Sequence, residues 1–149
     1  GDGSFSAPVE IPASKKPIGG AVADLDFDGK LDFVVSAETG TVGVMLGKGD
    51  GNFSEIVSYP AGISSQSVIA ADLNGDRIND LAVANADSNS VSVFLGKGDG
   101  SFRSEKAFQI GGDAYGLGAL DLNDDGRLDL VVSIGSTGIV RILNNTTPH

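Results

Sequence analysis

The sequence has 149 residues, enough for one ordinary domain, with 22 glycines, no cysteine, and 20 acidic against 10 basic residues for a formal net charge of -10. Such a charge repels nucleic acids and anionic membranes, the absence of cysteine excludes disulfides and thiolate sites, and no apolar run is long enough for a membrane-spanning helix. The hydrophobic fraction of 40% is too high for a disordered linker.

The chain consists of three copies of one unit. A Gly-Asp-Gly-x-Phe pentapeptide starts at positions 1, 49 and 98, and an acidic nonapeptide occupies positions 24–32, 72–80 and 121–129. Both motifs therefore recur with the same step of 48 and then 49 residues. We accordingly divide residues 1–149, a single segment, into repeats 1–48, 49–97 and 98–149.

Each repeat is predicted to contain four strands. The first is a run of small residues before the acidic nonapeptide, and the second follows that nonapeptide directly. The third is rich in β-branched residues and ends at the Gly-Asp-Gly turn, after which the fourth begins with a phenylalanine that we expect to pack between sheets. In chain order the predicted strands are 5–11, 19–23, 31–35, 42–46, 53–59, 67–71, 81–84, 91–95, 102–110, 116–120, 128–132 and 139–143. No segment has a sustained helical period, so we predict no helix.

Four antiparallel strands per repeat match one β-propeller blade, so we predict an all-β fold with three blades per chain. Residues 5–11 form a fourth strand without its blade, and residues 139–143 form a third strand without a partner. Three blades are too few for a ring, because propellers have about four to eight. We therefore expect two copies to form a six-bladed C2 homodimer, in which residues 5–11 of one copy pair with residues 139–143 of the other. The alternative, an excerpt of a longer six- or seven-bladed protein, stays open.

The acidic nonapeptide places carboxylate or amide oxygens at its positions 1, 3, 5 and 9. Carboxylates held this close on a tight turn repel one another unless a cation lies between them. Oxygen ligands without histidine or cysteine favour calcium, which accepts many protein oxygens in flexible geometry. An EF-hand is excluded, because it needs its last acid at position 12 and a helix on each side.

The nonapeptide D-x-[DN]-x-D-G-x-x-D, followed one hairpin later by G-x-G-D-G-x-F, resembles the FG-GAP or VCBS-type repeat of integrin α-subunit propellers and of many secreted bacterial proteins. The resemblance implies up to three Ca²⁺ per chain, each bound through positions 1, 3, 5, 7 and 9. Position 7 contributes its backbone carbonyl, and the side chain there is irrelevant to that role. The implied ligands are Asp24, Asp26, Asp28, Lys30 and Asp32 in loop one, Asp72, Asn74, Asp76, Ile78 and Asp80 in loop two, and Asp121, Asn123, Asp125, Arg127 and Asp129 in loop three.

Loop two departs from this pattern at Arg77, where the other loops have Gly29 and Gly126. A left-handed backbone at that position costs a non-glycine residue roughly 1–2 kcal/mol. Asn74 also lowers the charge of loop two. We therefore expect loop two to bind calcium most weakly.

Nothing in the sequence points to catalysis, since the sole histidine is the terminal His149 and the carboxylates cluster in the predicted metal loops. The face opposite these loops carries the segments that differ most between repeats, with Ile18, Gln66 and Tyr115 at corresponding positions as candidate contacts for a protein or glycan ligand. We expect a non-catalytic calcium-binding interaction or scaffold domain, secreted or on the cell surface, where calcium is abundant. The alternatives are a carbohydrate-binding, lectin-like propeller and a purely structural spacer.

Overall fold

The structure is a computed structural model that describes residues 2–147. This part of the chain contains eleven strands and no helix, arranged as three antiparallel sheets. The first sheet has the order β1 (Pro17–Ala23), β2 (Asp32–Ala37), β3 (Thr41–Met45) and β4 (Val57–Pro60), the second has β5 (Ser65–Ala71), β6 (Asp80–Asn85), β7 (Ser90–Phe94) and β8 (Lys106–Gln109), and the third has β9 (Ala114–Leu120), β10 (Asp129–Ile134) and β11 (Ile139–Leu143). The all-β prediction is confirmed, while His149 lies outside the described residues.

Between residues 2 and 147 no helix is long and apolar enough to cross a membrane.

The first three strands of each repeat form where the sequence predicts them, to within a few residues. The fourth strands are shorter than predicted, because Phe53 and Phe102 form only single bridges, with Gly47 and Gly96. After Phe53, the Ser54 hydroxyl accepts a hydrogen bond from the Leu46 N–H at 2.9 Å. A side chain thus replaces the backbone carbonyl that would accept this hydrogen bond in regular strand pairing.

Residues 5–11 form no strand in the single chain, and the side chains of Phe5 and Val9 are exposed. The strand predicted here requires a second copy of the chain as its partner. It therefore stays a prediction.

Two apolar clusters hold the three sheets in a row. The first lies between the first and second sheets and the other between the second and third. Strand β6 is buried along its whole length, with Leu81 and Val83 in the first cluster and Ala82 and Ala84 in the second. The second sheet is thus the covered centre of the molecule, and each fully buried valine or leucine contributes about 1.5–3 kcal/mol to folding.

The first strands of the three sheets, β1, β5 and β9, lie beside one another. At Gly19 a Cβ atom would lie 2.7 Å from the carbonyl oxygen of Gln66, so only glycine permits this approach of β1 to β5. This contact is the physical reason for the run of small residues in the first predicted strand.

The Gly-Asp-Gly-x-Phe motif at residues 98–102 has the structural role that the sequence predicts, whereas Phe5 of the first copy is exposed. Gly98 and Gly100 have φ of 77° and 76°, and the Asp99 carboxylate accepts the Ser101 N–H at 2.9 Å to close the turn. Phe102 is buried between the first and second sheets, edge-on to Tyr59 with ring centroids 5.7 Å apart.

Candidate metal centre

The three acidic nonapeptides connect the first and second strands of their sheets. Neighbouring sheets contact these loops by hydrogen bonds. The Asn79 amide donates to the Asp24 carbonyl at 2.9 Å, and the Asn145 amide donates to the Leu73 carbonyl at 2.7 Å. Each of the first two loops is therefore fastened to the following sheet.

Loop one brings three carboxylates together. Asp24, Asp26 and Asp28 each offer one oxygen, and these oxygens lie within 4.8 Å of one another. Burial raises the pKa of Asp26, and the neighbouring carboxylates act in the same direction. This arrangement is costly without a positive charge among the oxygens.

One oxygen of this cluster lacks a partner among the described residues. Asp24 Oδ1 is buried without a hydrogen bond, while Asp24 Oδ2 accepts the Gly29 N–H at 3.0 Å. A buried carboxylate oxygen left unpaired is expensive, and a cation removes that cost. The oxygen-only donor set fits a hard cation such as calcium.

The side chain at position 7 makes a contact of its own, beside the backbone carbonyl that is predicted to bind the metal. Lys30 Nζ lies 2.7 Å from Asp28 Oδ2, and Arg127 makes the corresponding ion pair with Asp125. The hydrogen bonds from Lys30 lower the pKa of Asp28. A metal ion that binds the position-5 carboxylate in loops one and three therefore competes with a resident basic side chain, whereas Ile78 in loop two offers no such competition.

The position-9 aspartates have a structural role that the sequence analysis missed. Asp32 is fully buried, and its two oxygens accept the N–H groups of Leu25 at 2.7 Å and Gly47 at 2.8 Å. Asp80 and Asp129 make the equivalent pairs of bonds in the other sheets. This carboxylate therefore ties the start of the acidic loop to the residues that follow the third strand, and Asp32 is not part of the three-carboxylate cluster.

Loops two and three are more completely satisfied by internal hydrogen bonds. Both Asp72 oxygens accept backbone N–H groups, and both Asp121 oxygens do the same. The amides of Asn74 and Asn123 donate to Asp76 and Asp125. The predicted ligands of loop one are thus the set whose carboxylates the described structure gathers into one cluster.

Backbone strain does not distinguish loop two from the others. Arg77 has φ 68°, which confirms the left-handed conformation expected at position 6. At position 4, however, Phe27 and Asp124 have φ 60° and 57°, and loop two has Gly75 there. Each loop therefore contains one left-handed glycine and one left-handed non-glycine residue, so the strain argument for weak binding by loop two is lost.

The candidate ligand residues on the opposite face form one row. Ile18, Gln66 and Tyr115 lie on the adjacent strands β1, β5 and β9, and the side chains of Ile18 and Tyr115 are about half exposed. The Tyr115 ring packs over Gly135, where an added Cβ atom would lie 2.7 Å from it. Polar groups lie beside two of them, since the Gln66 amide donates to the Ser64 hydroxyl at 2.8 Å and a Cβ atom at Gly135 would lie 3.2 Å from Asp113 Oδ2 as well.

Three repeated antiparallel sheets with acidic loops define a β-propeller-like repeat protein. The model of the FG-GAP-like repeat matches residues 28–83 and 72–132, and the chain belongs to this family. Comparison with curated protein sequences gives no match.

Solved structures share the fold. A structure describing specific recognition of non-reducing terminal N-acetylglucosamine by an Agrocybe aegerita lectin is 25% identical with a TM-score of 0.53, over 86% of this chain and 38% of the lectin chain. The crystal structure of TcdB2-TccC3-Cdc42 is 24% identical with a TM-score of 0.51, over 85% of this chain and 6% of that one. The chain thus spans well under half the length of either protein.

Proposed function

We propose that this chain is a non-catalytic, calcium-binding interaction domain in which loop one is the principal metal site. The observation that carries the proposal is Asp24 Oδ1, buried and without a hydrogen-bond partner in residues 2–147, beside the carboxylates of Asp26 and Asp28. These three side chains and the Lys30 carbonyl would hold the ion. Bound calcium supplies positive charge to Asp24 and Asp26, whereas Lys30 pairs with Asp28.

Order in loop one is connected to the packing of the sheets. The carbonyls of Asp24 and Leu25 accept hydrogen bonds from Asn79 at 2.9 Å and from Gly100 at 3.1 Å, both of which lie in loops of the second sheet. An ion that holds loop one in place also holds these two acceptors in place. Calcium would therefore stiffen the contact between the first and second sheets, which suits a domain that presents binding loops on a rigid frame.

Calorimetric titration with calcium tests the metal site. We expect the native chain to bind calcium and Asp26→Asn to lose the tightest binding step. Asp50→Asn is the matched control, because it removes the same charge from an exposed turn outside the acidic loops. Equal calcium binding by all three proteins would contradict the assignment.

We further propose that two copies close into a six-bladed C2 ring. The third sheet has three strands where the others have four, which leaves β11 with an unpaired edge in the described chain. Residues 5–11 of a second copy are the expected fourth strand, since they stand in the repeat where β4 and β8 stand. Light scattering tests this assembly, and a monomeric chain in calcium would contradict it.

An extracellular or cell-surface location suits such a domain, because oxygen-ligand sites of this kind fill where calcium is abundant. Calcium binding by the secreted chain in extracellular medium, lost on adding chelator, would support that location.

The second candidate function is carbohydrate binding. It is favoured by the likeness to the N-acetylglucosamine-specific lectin and by the half-exposed ring of Tyr115. A glycan array with the native chain and with Tyr115→Ala separates the two candidates. Glycan binding that Tyr115→Ala abolishes would favour the lectin, whereas no glycan signal would favour a protein-interaction domain.

A further inference from the structure

The third sheet has an apolar face that the equivalent sheets keep covered. Val42 and Val91 are 0% exposed, but Val140, at the same place in the repeat, is 61% exposed. In the acidic loops Leu25 and Leu73 are 3% and 8% exposed, but their counterpart Leu122 is 42% exposed. We call the set Leu120, Leu122, Val140 and Ile142 the open face.

The two internal junctions show what covers such a face. Val42 packs in the first cluster with Leu81, Val83 and Phe94, which belong to the second sheet. Val91 packs in the second cluster with residues of the third sheet, among them the counterparts of Leu81 and Val83. At both junctions the cover is therefore the opposite face of the next sheet in the row.

The chain carries one more surface of this kind, on its first sheet. Its residues correspond in the repeat to Leu81, Val83, Phe94 and Phe102. They are Phe33, Val35, Met45 and Phe53. Phe33 and Phe53 pack edge to face with ring centroids 6.5 Å apart, as a preformed apolar surface.

In the single chain the N-terminal segment 2–16 approaches this surface. Ser14 lies against Gly43 on β3, and its hydroxyl is buried without a hydrogen-bond partner among the described residues. Elsewhere in the segment Phe5 and Val9 are exposed. In the single chain Val35 and Met45 are covered, at 3% and 2% exposed, but the segment leaves the Ser14 hydroxyl unpaired among the described residues and Phe5 and Val9 in water.

We propose, on the basis of the six-bladed ring above, that the open face packs on the first sheet of a second copy, with residues 2–16 moved aside. The C2 axis then generates two identical junctions, each between the third sheet of one copy and the first sheet of the other. The open face is then buried, and the first sheet, where Val35 and Met45 are already 3% and 2% exposed, exchanges residues 2–16 for a packed sheet.

The test is the double substitution Val140→Lys and Ile142→Lys, measured by light scattering over a range of concentrations. Two lysines on the open face would have to be desolvated in the dimer, so its dissociation constant should rise more than about tenfold. Val57→Lys is the matched control, because Val57 is similarly exposed but lies on β4, outside both surfaces. Leu122→Lys provides a second variant, in a loop, should the double variant fold poorly.

The possible outcomes distinguish the proposed interface of the open face from the six-bladed ring itself. Weakened dimers for the open-face variants and native dimers for Val57→Lys support the proposal. If deleting residues 1–11 gives monomers while the open-face variants remain native-like dimers, strand pairing stands and the open-face interface is overturned. A native chain that is monomeric overturns both.

Discussion

At the scale of single residues, the acidic nonapeptide combines two kinds of aspartate. The aspartates at positions 1, 3 and 5 of loop one turn their carboxylates toward one another. Both oxygens of the position-9 carboxylate instead accept hydrogen bonds from backbone N–H groups. One short motif thus serves a candidate cation site and a structural tie. The sequence shows four similar acids and does not distinguish these roles.

The structural tie predicts a large effect at Asp80. Burial raises the pKa of Asp80, while hydrogen bonds from Gly96 and Leu73 oppose that shift. Asp80→Asn replaces one acceptor oxygen with a donor that faces a backbone N–H, so we expect a loss of about 2–3 kcal/mol in the free energy of unfolding. Urea denaturation in chelator measures it. Asp87→Asn, at an exposed site, should change stability little, and equal losses in both variants would count against the tie.

Asp113 offers a prediction about pH. Hydrogen bonds from the side chain and backbone of Ser136 lower its pKa below the ordinary value of 3.8. Because the folded state favours the ionised form, the stability from this contact is complete above the ordinary pKa and is lost as the pH falls through the lowered one. In an NMR titration, Ser136→Ala should raise the pKa of Asp113, whereas Thr137→Ala should leave it unchanged. No shift in Ser136→Ala would refute the assigned cause.

At the scale of strands and turns, the fold depends on close backbone contacts that glycine permits. Gly47 follows the third strand, and a Cβ atom there would lie 2.1 Å from the Leu31 carbonyl oxygen. Gly47 also donates its N–H to the Asp32 carboxylate at 2.8 Å. The close backbone contact and the structural tie made by Asp32 therefore depend on the same residue. Asn145 stands at this place in the third repeat and bonds the Leu73 and Leu128 carbonyls through its side chain.

We therefore expect Gly47→Ala to destabilise the chain by roughly 2–3 kcal/mol, as overpacking does in well-packed interiors. Gly118→Ala is the matched control, since a Cβ atom at Gly118 would meet nothing within 4 Å and Gly118 lacks a positive φ. Thermal or urea unfolding of the two variants measures the difference. Similar stabilities would show that the backbone shifts easily at Gly47.

The strands could be predicted well from the repeats, because each hydrophobic strand pattern and each turn motif recurs in the chain. A pattern that arises by chance would not recur at the same spacing. Prediction from the repeats failed where a contact depends on distant residues. The bonds of Asp32 involve Gly47, fifteen positions later in the chain, and the bond between Asn79 and Asp24 joins two repeats. The pairing of Lys30 with Asp28 does not follow from the motif, because position 7 is defined there by its backbone carbonyl and any side chain satisfies it.

At the scale of the whole molecule, the single chain is a row of three sheets with a covered centre and an open apolar face on the third sheet. The first two acidic loops are fastened to a following sheet, whereas Leu122 in loop three is exposed. If the proposed ring forms, loop three gains a neighbouring sheet as well. Dimer formation and order in loop three should therefore rise together, which hydrogen exchange of residues 121–129 across protein concentrations measures. Exchange there that does not change as dimers form would contradict this link.

The most direct test of the calcium-binding account is thermal unfolding in calcium and in chelator. A ligand at about a hundred times its dissociation constant stabilises the folded state by about 2.7 kcal/mol, which corresponds to roughly 5–10 °C in Tm for a chain of this size. We predict a rise of this order in calcium and a smaller one in Asp26→Asn. An unchanged Tm in the native chain would contradict the metal assignment and, with it, the proposed extracellular location.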